Sequence, residues 1–267
     1  MSLISISDTF ANLESQCALI PFITAGDPNL DITKQALKIL AREGADIIEI
    51  GIPYSDPLAD GPTIQEASFR ALKQGITLDQ ILLMISEVNQ DIDTPLVIFT
   101  YYNLIVNQGV EQFLTKITNA GCKGLLVPDL PLEETELLEA ACQEYQIDLI
   151  LLLSPNTSEN RLKQIIQKSQ GCLYLVSSTG VTGMKFDPKE RIQYLIQKIK
   201  ASTSVPLVIG FGISTREDIQ AVQSWGVDGI VMGTAFVKEL MKSAQEPQLQ
   251  SFTNYCRYIK ESLVLSS

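Results

Sequence analysis

The sequence predicts an α/β fold: a single (β/α)8 barrel of the TIM type, with an extra N-terminal helix, formed by residues 1–267 as one domain. Three observations predict it. Eight short runs rich in Ile, Val and Leu recur along the chain, as strands do when helices cover their outer face. Amphipathic segments lie between them, and eight strand–helix units of roughly 30 residues fill this length. Three stretches, "AREGADIIEIG", "TNAGCKGLLVP" and "QSWGVDGIVMG", repeat one layout of helix end, glycine stop, polar turn and strand. A doubly wound open sheet is the rival. Its G-x-G-x-x-G turn is missing after the first strand, where "TAGDP" stands instead.

An amphipathic segment at 5–14 precedes the first strand, "ALIPFIT" at 18–24. Further strands are expected at 47–51, 96–101, 124–128, 148–153, 173–177, 207–211 and 229–233. Helical patterns occupy 30–43, 63–90 with a break at Gly75, 109–119, 133–145, 158–168, 188–201, 214–224, 234–243 and 247–263. Capping residues mark several starts: Asp31 or Asn29, Ser158, Asp187 before Pro188, and Ser214 with Glu217 three residues on. Gly44, Gly121 and Gly226 stand where a left-handed C-cap is expected. No linker or low-complexity tract divides the chain.

Composition excludes several classes of function. No apolar run reaches the length of a membrane span, and "MSLISISDTFANLE" has no basic segment or apolar core of a targeting peptide. A net charge of −11 argues against nucleic acid or an anionic membrane as partner. It leaves phosphorylated small molecules open, because helix N-termini bind phosphate through backbone N–H groups. Cys17, Cys122, Cys142, Cys172 and Cys256 are scattered, without C-x-x-C spacing, and read as reduced, buried thiols. The chain has no histidine. Histidine bases, Ser-His-Asp systems and the commonest metal ligand are therefore unavailable, and acid–base chemistry falls to carboxylates, Tyr, Lys or Cys.

The stretch "EIGIPYSDPLADGPTIQ" at 49–65 stands out. Alternation along its strand turns Ile48 and Ile50 to the helices and Ile47, Glu49 and Gly51 inward. Glu49 lies near the C-terminal end of the strand, where barrel active sites are built. A structural role would need a cationic partner, and no predicted strand contains Lys or Arg. An unpaired carboxyl in an apolar cavity has a raised pKa, which suits a proton shuttle near neutrality. Asp60, in the following loop, has two readings from spacing alone: a turn residue or a substrate contact. Asp56, before Pro57, reads as a turn residue.

"GFGIS" at 210–214 and "MGTAF" at 232–236 each end a strand and open a helix, at the usual phosphate site of such barrels. "STGVTGMKFD" at 178–187 reads either as a lid or as a plain connection. Phe22, Tyr102, Tyr174 and Phe211 together suggest an apolar pocket for a flat ring; singly, each is also explained by packing. A Schiff-base aldolase lacks its strand lysine here, a metal aldolase its histidines, and an isomerase of the Glu-and-His type its histidine.

These residues resemble one family. "PFITAGDP", "EIGIPYSDPLADGPTIQ", "TYYN", "VPDLP", "GVTG", "GFGI" and "GVDGIVMGTAF" are similar to motifs of the tryptophan synthase alpha subunit over essentially the full length. The resemblance implies retro-aldol cleavage of indole-3-glycerol phosphate to indole and glyceraldehyde 3-phosphate. It makes Glu49 and Asp60 the catalytic pair: Glu49 shuttles protons, and Asp60 accepts a hydrogen bond from the indole N–H. It implies an indole pocket of Phe22, Ile64, Tyr102, Tyr174 and Phe211. It assigns a phosphate grip to Gly183, Gly212, Gly233 and Thr234, and a lid contact to Asp60 to Thr182. Two positions depart from the pattern: Thr234 stands where the family often has Ser, and "SSTGVTG" where some members have "SRAGVTG". The resemblance also implies an α2β2 heterotetramer with a beta subunit, faced by loop 53–60 and the Asp129 segment. Pyridoxal phosphate belongs to that partner, with no cofactor on this chain. The compartment implied is cytoplasm, or plastid stroma if plastid-encoded. A rival reading remains, a catalytically silent barrel that activates a partner.

Overall fold

Almost every strand residue is buried, as runs of Ile, Val and Leu require when side chains fill one face and helices cover the other. The computed structural model describes residues 4–13, 15, 17–176, 188–210 and 212–264. Its strands are β1 Ala18–Thr24, β2 Ile48–Gly51, β3 Leu96–Phe99, β4 Gly124–Leu126, β5 Asp148–Leu153, β6 Leu173–Val176, β7 Leu207–Gly210 and β8 Gly229–Met232. All pair in parallel, each with the next, and β8 closes on β1. The helices are α1 Ile6–Ala11, α2 Leu30–Arg42, α3 Pro62–Lys73, α4 Leu78–Val88, α5 Tyr102–Gln108, α6 Val110–Asn119 and α7 Thr135–Glu144. They continue as α8 Glu159–Lys168, α9 Pro188–Ser202, α10 Arg216–Gln223, α11 Thr234–Ser243 and α12 Gln250–Val264. The closed eight-stranded barrel is the expected TIM architecture.

Alternation along each strand sorts side chains into two cores. Leu19, Ile23, Ile48, Ile50, Leu96 and Ile98 join the large cluster under the helices. Ala18, Ile20, Ile47, Val97, Leu126 and Tyr174 join a second cluster inside the barrel. Helix α1 closes the N-terminal end by sending Ile6 into that inner cluster, fully buried. Gly124 makes room for it, since a Cβ there would lie 2.5 Å from the Ile6 Cδ1.

Local expectations held where the signal was local. Gly44, Gly121 and Gly226 have φ of +92, +87 and +82°, the left-handed stop that favours glycine. The long 63–90 pattern divides into α3 and α4 around Gly75, and Thr77 with Gln80 caps the second half in a capping box. Asn29, not Asp31, caps α2, accepting from the Ile32 N–H. Two local readings are corrected. The box at α10 is Thr215 with Asp218, one residue beyond Ser214 and Glu217. Helix α5 went unforeseen: it is short, partly exposed, and ends at Gly109. Asp187 lies outside the described residues.

Candidate active site

Glu49 sits on β2 beside Phe22 of β1 and Val97 of β3 in register, so its side chain points into the barrel with theirs. It is 2% exposed. It forms no hydrogen bond or ion pair with any described residue, and burial alone pushes its carboxyl up to about 8. Among the described residues a carboxylate would meet no compensating charge there, which favours the neutral acid.

Two glycines shape the space around it. A Cβ on Gly51 would lie 2.4 Å from the Phe22 ring, and one on Gly210 would lie 2.2 Å from the Tyr174 hydroxyl. Both aromatic rings reach across a neighbouring strand only because glycine stands there. Phe22 meets Phe99 edge to face at 5.4 Å between centroids. Ile64, on the first turn of α3, packs on Phe22 in the same small cluster. The Tyr174 phenol is held well above its ordinary range by burial first and by the nearby Glu49 carboxylate second. Phe22, Ile64 and Tyr174 are therefore three of the predicted pocket residues that the fold supplies.

Tyr102 is not among them. It opens α5, its ring packs on the helix-layer core, and its N–H donates to Asp129 at 2.9 Å. The tyrosine at the site is Tyr101, 2% exposed. It continues the inward parity of Val97 and Phe99, which meets the Tyr101 ring edge-on. That parity was the signal in the sequence, since residues 97, 99 and 101 share one face. Phe99 was missed for the same reason.

Asp60 is half-buried, and burial raises its carboxyl to about 6 against the opposing hydrogen bond from Tyr101. The Tyr101 hydroxyl donates to Asp60 Oδ2 at 3.0 Å and accepts from the Ala59 N–H at 3.1 Å. Tyr54 stacks on Tyr101 at 4.9 Å. Asp60 is thus aimed, not left as a free turn residue. Asp56 is exposed, and its carbonyl accepts from the Leu58 N–H within the turn.

The two glycine turns differ. Helix α10 is capped by Thr215, and Asp218 takes the Ser214 and Thr215 N–H groups. Helix α11 has Gly233 at its N-cap with no side-chain cap, and Thr234 begins it, exposed. Its N-terminal N–H groups have no capping side chain, and Gly233 adjoins Ile64 and Phe22. Gly212 has φ +76° with open space around it. Thr182, Gly183 and Phe211, with the whole "STGVTGMKFD" segment, lie outside the described residues. Among the described residues, no group of three or more Cys, Asp or Glu side chains is placed to hold a metal ion, and no helix is long and apolar enough to cross a membrane.

A closed parallel barrel with two pKa-shifted carboxyls at the C-terminal end of its strands, and an uncapped helix N-terminus after β8, defines a class: barrel enzymes that run acid–base chemistry on carboxylates. The family model for the tryptophan synthase alpha chain matches residues 10–263. The chain is 51% identical over 260 residues to the tryptophan synthase alpha chain of Pyropia yezoensis, covering 97% of this chain and 99% of that one. With that of Synechocystis sp. it shares 50% over 248 residues, covering 93% and 94%. Among solved structures, tryptophan synthase subunit alpha from Legionella pneumophila superposes with TM-score 0.87 at 32% identity, covering 97% of each chain. The tryptophan synthase complex from Pyrococcus furiosus gives 0.81 at 34%, covering 93% of this chain and 98% of that chain. The chain belongs to the tryptophan synthase alpha chain family.

Proposed function

We propose that this chain carries out the alpha reaction of tryptophan synthase with Glu49 and Asp60 as its catalytic pair. The reaction is a carbon–carbon lyase step of L-tryptophan biosynthesis, the retro-aldol cleavage of indole-3-glycerol phosphate to indole and glyceraldehyde 3-phosphate. One observation carries the assignment: a carboxyl buried inside the barrel without a partner among the described residues, pushed up to about 8, beside an aromatic wall suited to a flat ring.

The neutral Glu49 donates its proton to indole C3, and the ring becomes an indoleninium-like cation. The resulting carboxylate takes the proton of the glycerol hydroxyl next to the ring. The O–H electrons form the aldehyde C=O, and the electrons of the breaking C–C bond return to the ring nitrogen. Glu49 ends protonated, ready for another cycle. Asp60, ionised, accepts the indole N–H and stabilises the positive charge as it grows; such preorganised charge supplies most of an enzyme's effect. Phe22, Ile64, Phe99, Tyr101 and Tyr174 hold the ring. The N–H groups at the start of α11, with Gly212, Gly233 and Thr234, hold the phosphate. Thr182, Gly183 and Phe211 keep their roles on the resemblance alone.

The chain works with a beta subunit as an α2β2 heterotetramer. Loop 53–60, where Leu58 is 82% exposed, and the Asp129 segment face it. Pyridoxal phosphate resides on that subunit, with no cofactor on this one. The compartment is bacterial cytoplasm or plastid stroma.

Indole release from indole-3-glycerol phosphate, measured between pH 5 and 9 alone and with a beta subunit, tests this. The expected profile is a bell. Activity falls below about 6 as Asp60 gains a proton, and above about 8 as Glu49 loses one. No indole, with the beta subunit still activated, would assign the chain to the silent-activator reading instead.

A further inference from the structure

We propose that Arg70 is a positioning residue, whose two-pronged pair with Asp27 locks the loop after β1 to α3 and thereby sets where Asp60 and Ile64 stand. The proposal rests on the catalytic pair named above.

Asp27 is 3% exposed. Its two carboxylate oxygens accept from Arg70 Nε at 2.7 Å and Nη2 at 2.8 Å, a fixed planar fit that lysine cannot reproduce. One turn further along α3, the Gln74 side-chain amide donates to the Pro28 carbonyl at 2.6 Å and the Gly26 carbonyl at 3.2 Å. Gly26 lies close against the end of this hairpin, since a Cβ there would lie 2.4 Å from Ile76 Cδ1. The C-terminal half of α3 is thus fastened to the loop that follows Thr24.

The N-terminal half of α3 holds the site. Gln65 Nε2 donates to the Asp60 carbonyl at 2.8 Å. Ile64 packs on Phe22 and adjoins Gly233. This end has no side-chain cap of its own, because Gly61 is the N-cap. The residues that α3 buries against the barrel, Ala67, Ser68 and Ala71, are all small. Small side chains allow close approach but interlock little, so they resist sliding of the helix weakly. The helix is about 18 Å long and stiff, so fastening one end fixes the other. Asp60 is then held from two sides, by Tyr101 on its carboxylate and by α3 on its backbone. Arg70 itself pairs with Asp27 and with Glu66, so its effect on catalysis is transmitted through the helix.

The test compares Arg70→Met, Arg70→Lys and the neutral pair Asp27→Asn/Arg70→Met with the unaltered protein in complex with a beta subunit. Thermal melts and pH profiles of indole release are recorded for each. Arg70→Met is expected to lose on the order of 10²-fold in kcat/KM, the effect of about 1 Å of misplacement. Its acid limb should move down toward the ordinary carboxylate range as Asp60 gains solvent. Arg70→Lys falls between the two. The double variant recovers the melting temperature, since no charge is left buried alone, but recovers neither the limb nor the rate. An unmoved acid limb in Arg70→Met and Arg70→Lys overturns the proposal. So does a double variant whose activity returns with its stability, which would make the pair merely structural. Failure of the unaltered protein to release indole is a separate outcome that strikes the catalytic pair, not Arg70.

Discussion

At the N-terminal end of the barrel, each of two aspartates takes a backbone N–H and a lysine. Asp46 accepts from the Leu19 N–H and from Lys260, both at 2.7 Å. Asp228 accepts from the Leu207 N–H at 2.7 Å and from Lys200 at 2.6 Å. At the C-terminal end, among the described residues, Glu49 has neither kind of partner, and the Asp60 carboxylate has only the neutral Tyr101 hydroxyl. The same functional group serves opposite purposes at the two ends. Paired acids fasten strands to helices. Unpaired acids weaken the fold and gain pKa values useful near neutrality. The difference lies in what surrounds the acid, and the fold places stability at one end and chemistry at the other.

Glu49→Gln breaks the comparison most sharply. Turnover should fall at least ~10³-fold, the scale of a lost acid–base group, read as indole release. The same variant should be more stable at neutral pH. The folded protein holds the Glu49 proton up to about 8, whereas the unfolded chain releases it near 4.5. Between those values the native state binds more protons, so rising pH erodes stability in the unaltered protein but not in the glutamine variant. The gap should be near zero at pH 4 and about 3 kcal/mol at pH 7, as an order of magnitude. Equal stability at pH 7 would contradict a buried, unpaired Glu49.

Asp60→Asn should lose roughly 10²-fold in kcat, as when one preorganised group facing a developing charge is removed. Substrate binding should change less, because the phosphate grip and aromatic wall remain. Asp228→Asn addresses the other end. It leaves Lys200 unmatched at a partly exposed site and should lower stability by about 1–2 kcal/mol, seen as a lower melting temperature with kcat unchanged. A large loss of kcat there would erase the distinction between the two ends. Tyr101→Phe should have the smallest effect. It removes the one hydrogen bond that lowers the Asp60 pKa, so the acid limb should rise by less than about one pH unit, with a few-fold loss of rate near pH 6.

Much of this was legible in the sequence because it depends on short-range periodicity. The barrel follows from eight apolar runs separated by helices, and Glu49 from parity within "IIEIG" and the lack of a strand cation. Glycine stops at 44, 121 and 226 are local backbone geometry. Tyr102 was chosen for its place just beyond a strand end; the parity of residues 97, 99 and 101, continued past the end of β3 at Phe99, points to Tyr101 instead. The capping box at α10 slipped by one residue, since Ser214 and Thr215 both fit the pattern and only the Asp218 N–H, which donates to the Thr215 hydroxyl, separates them.

The sequence by itself therefore determined the fold class, the inward acid and the absence of histidine chemistry, since these are properties of composition and of a period of two or 3.6 residues. Only the tertiary structure decided that the Asp60 carboxylate is held by a tyrosine 41 positions away. It alone revealed that Arg70 clamps Asp27 across 43 positions, and that lysines 28 and 214 positions distant neutralise the acids at the other end. Contacts at such separations are fixed by how strands and helices stack, and no local pattern records which side chains that stacking brings within 3 Å of one another.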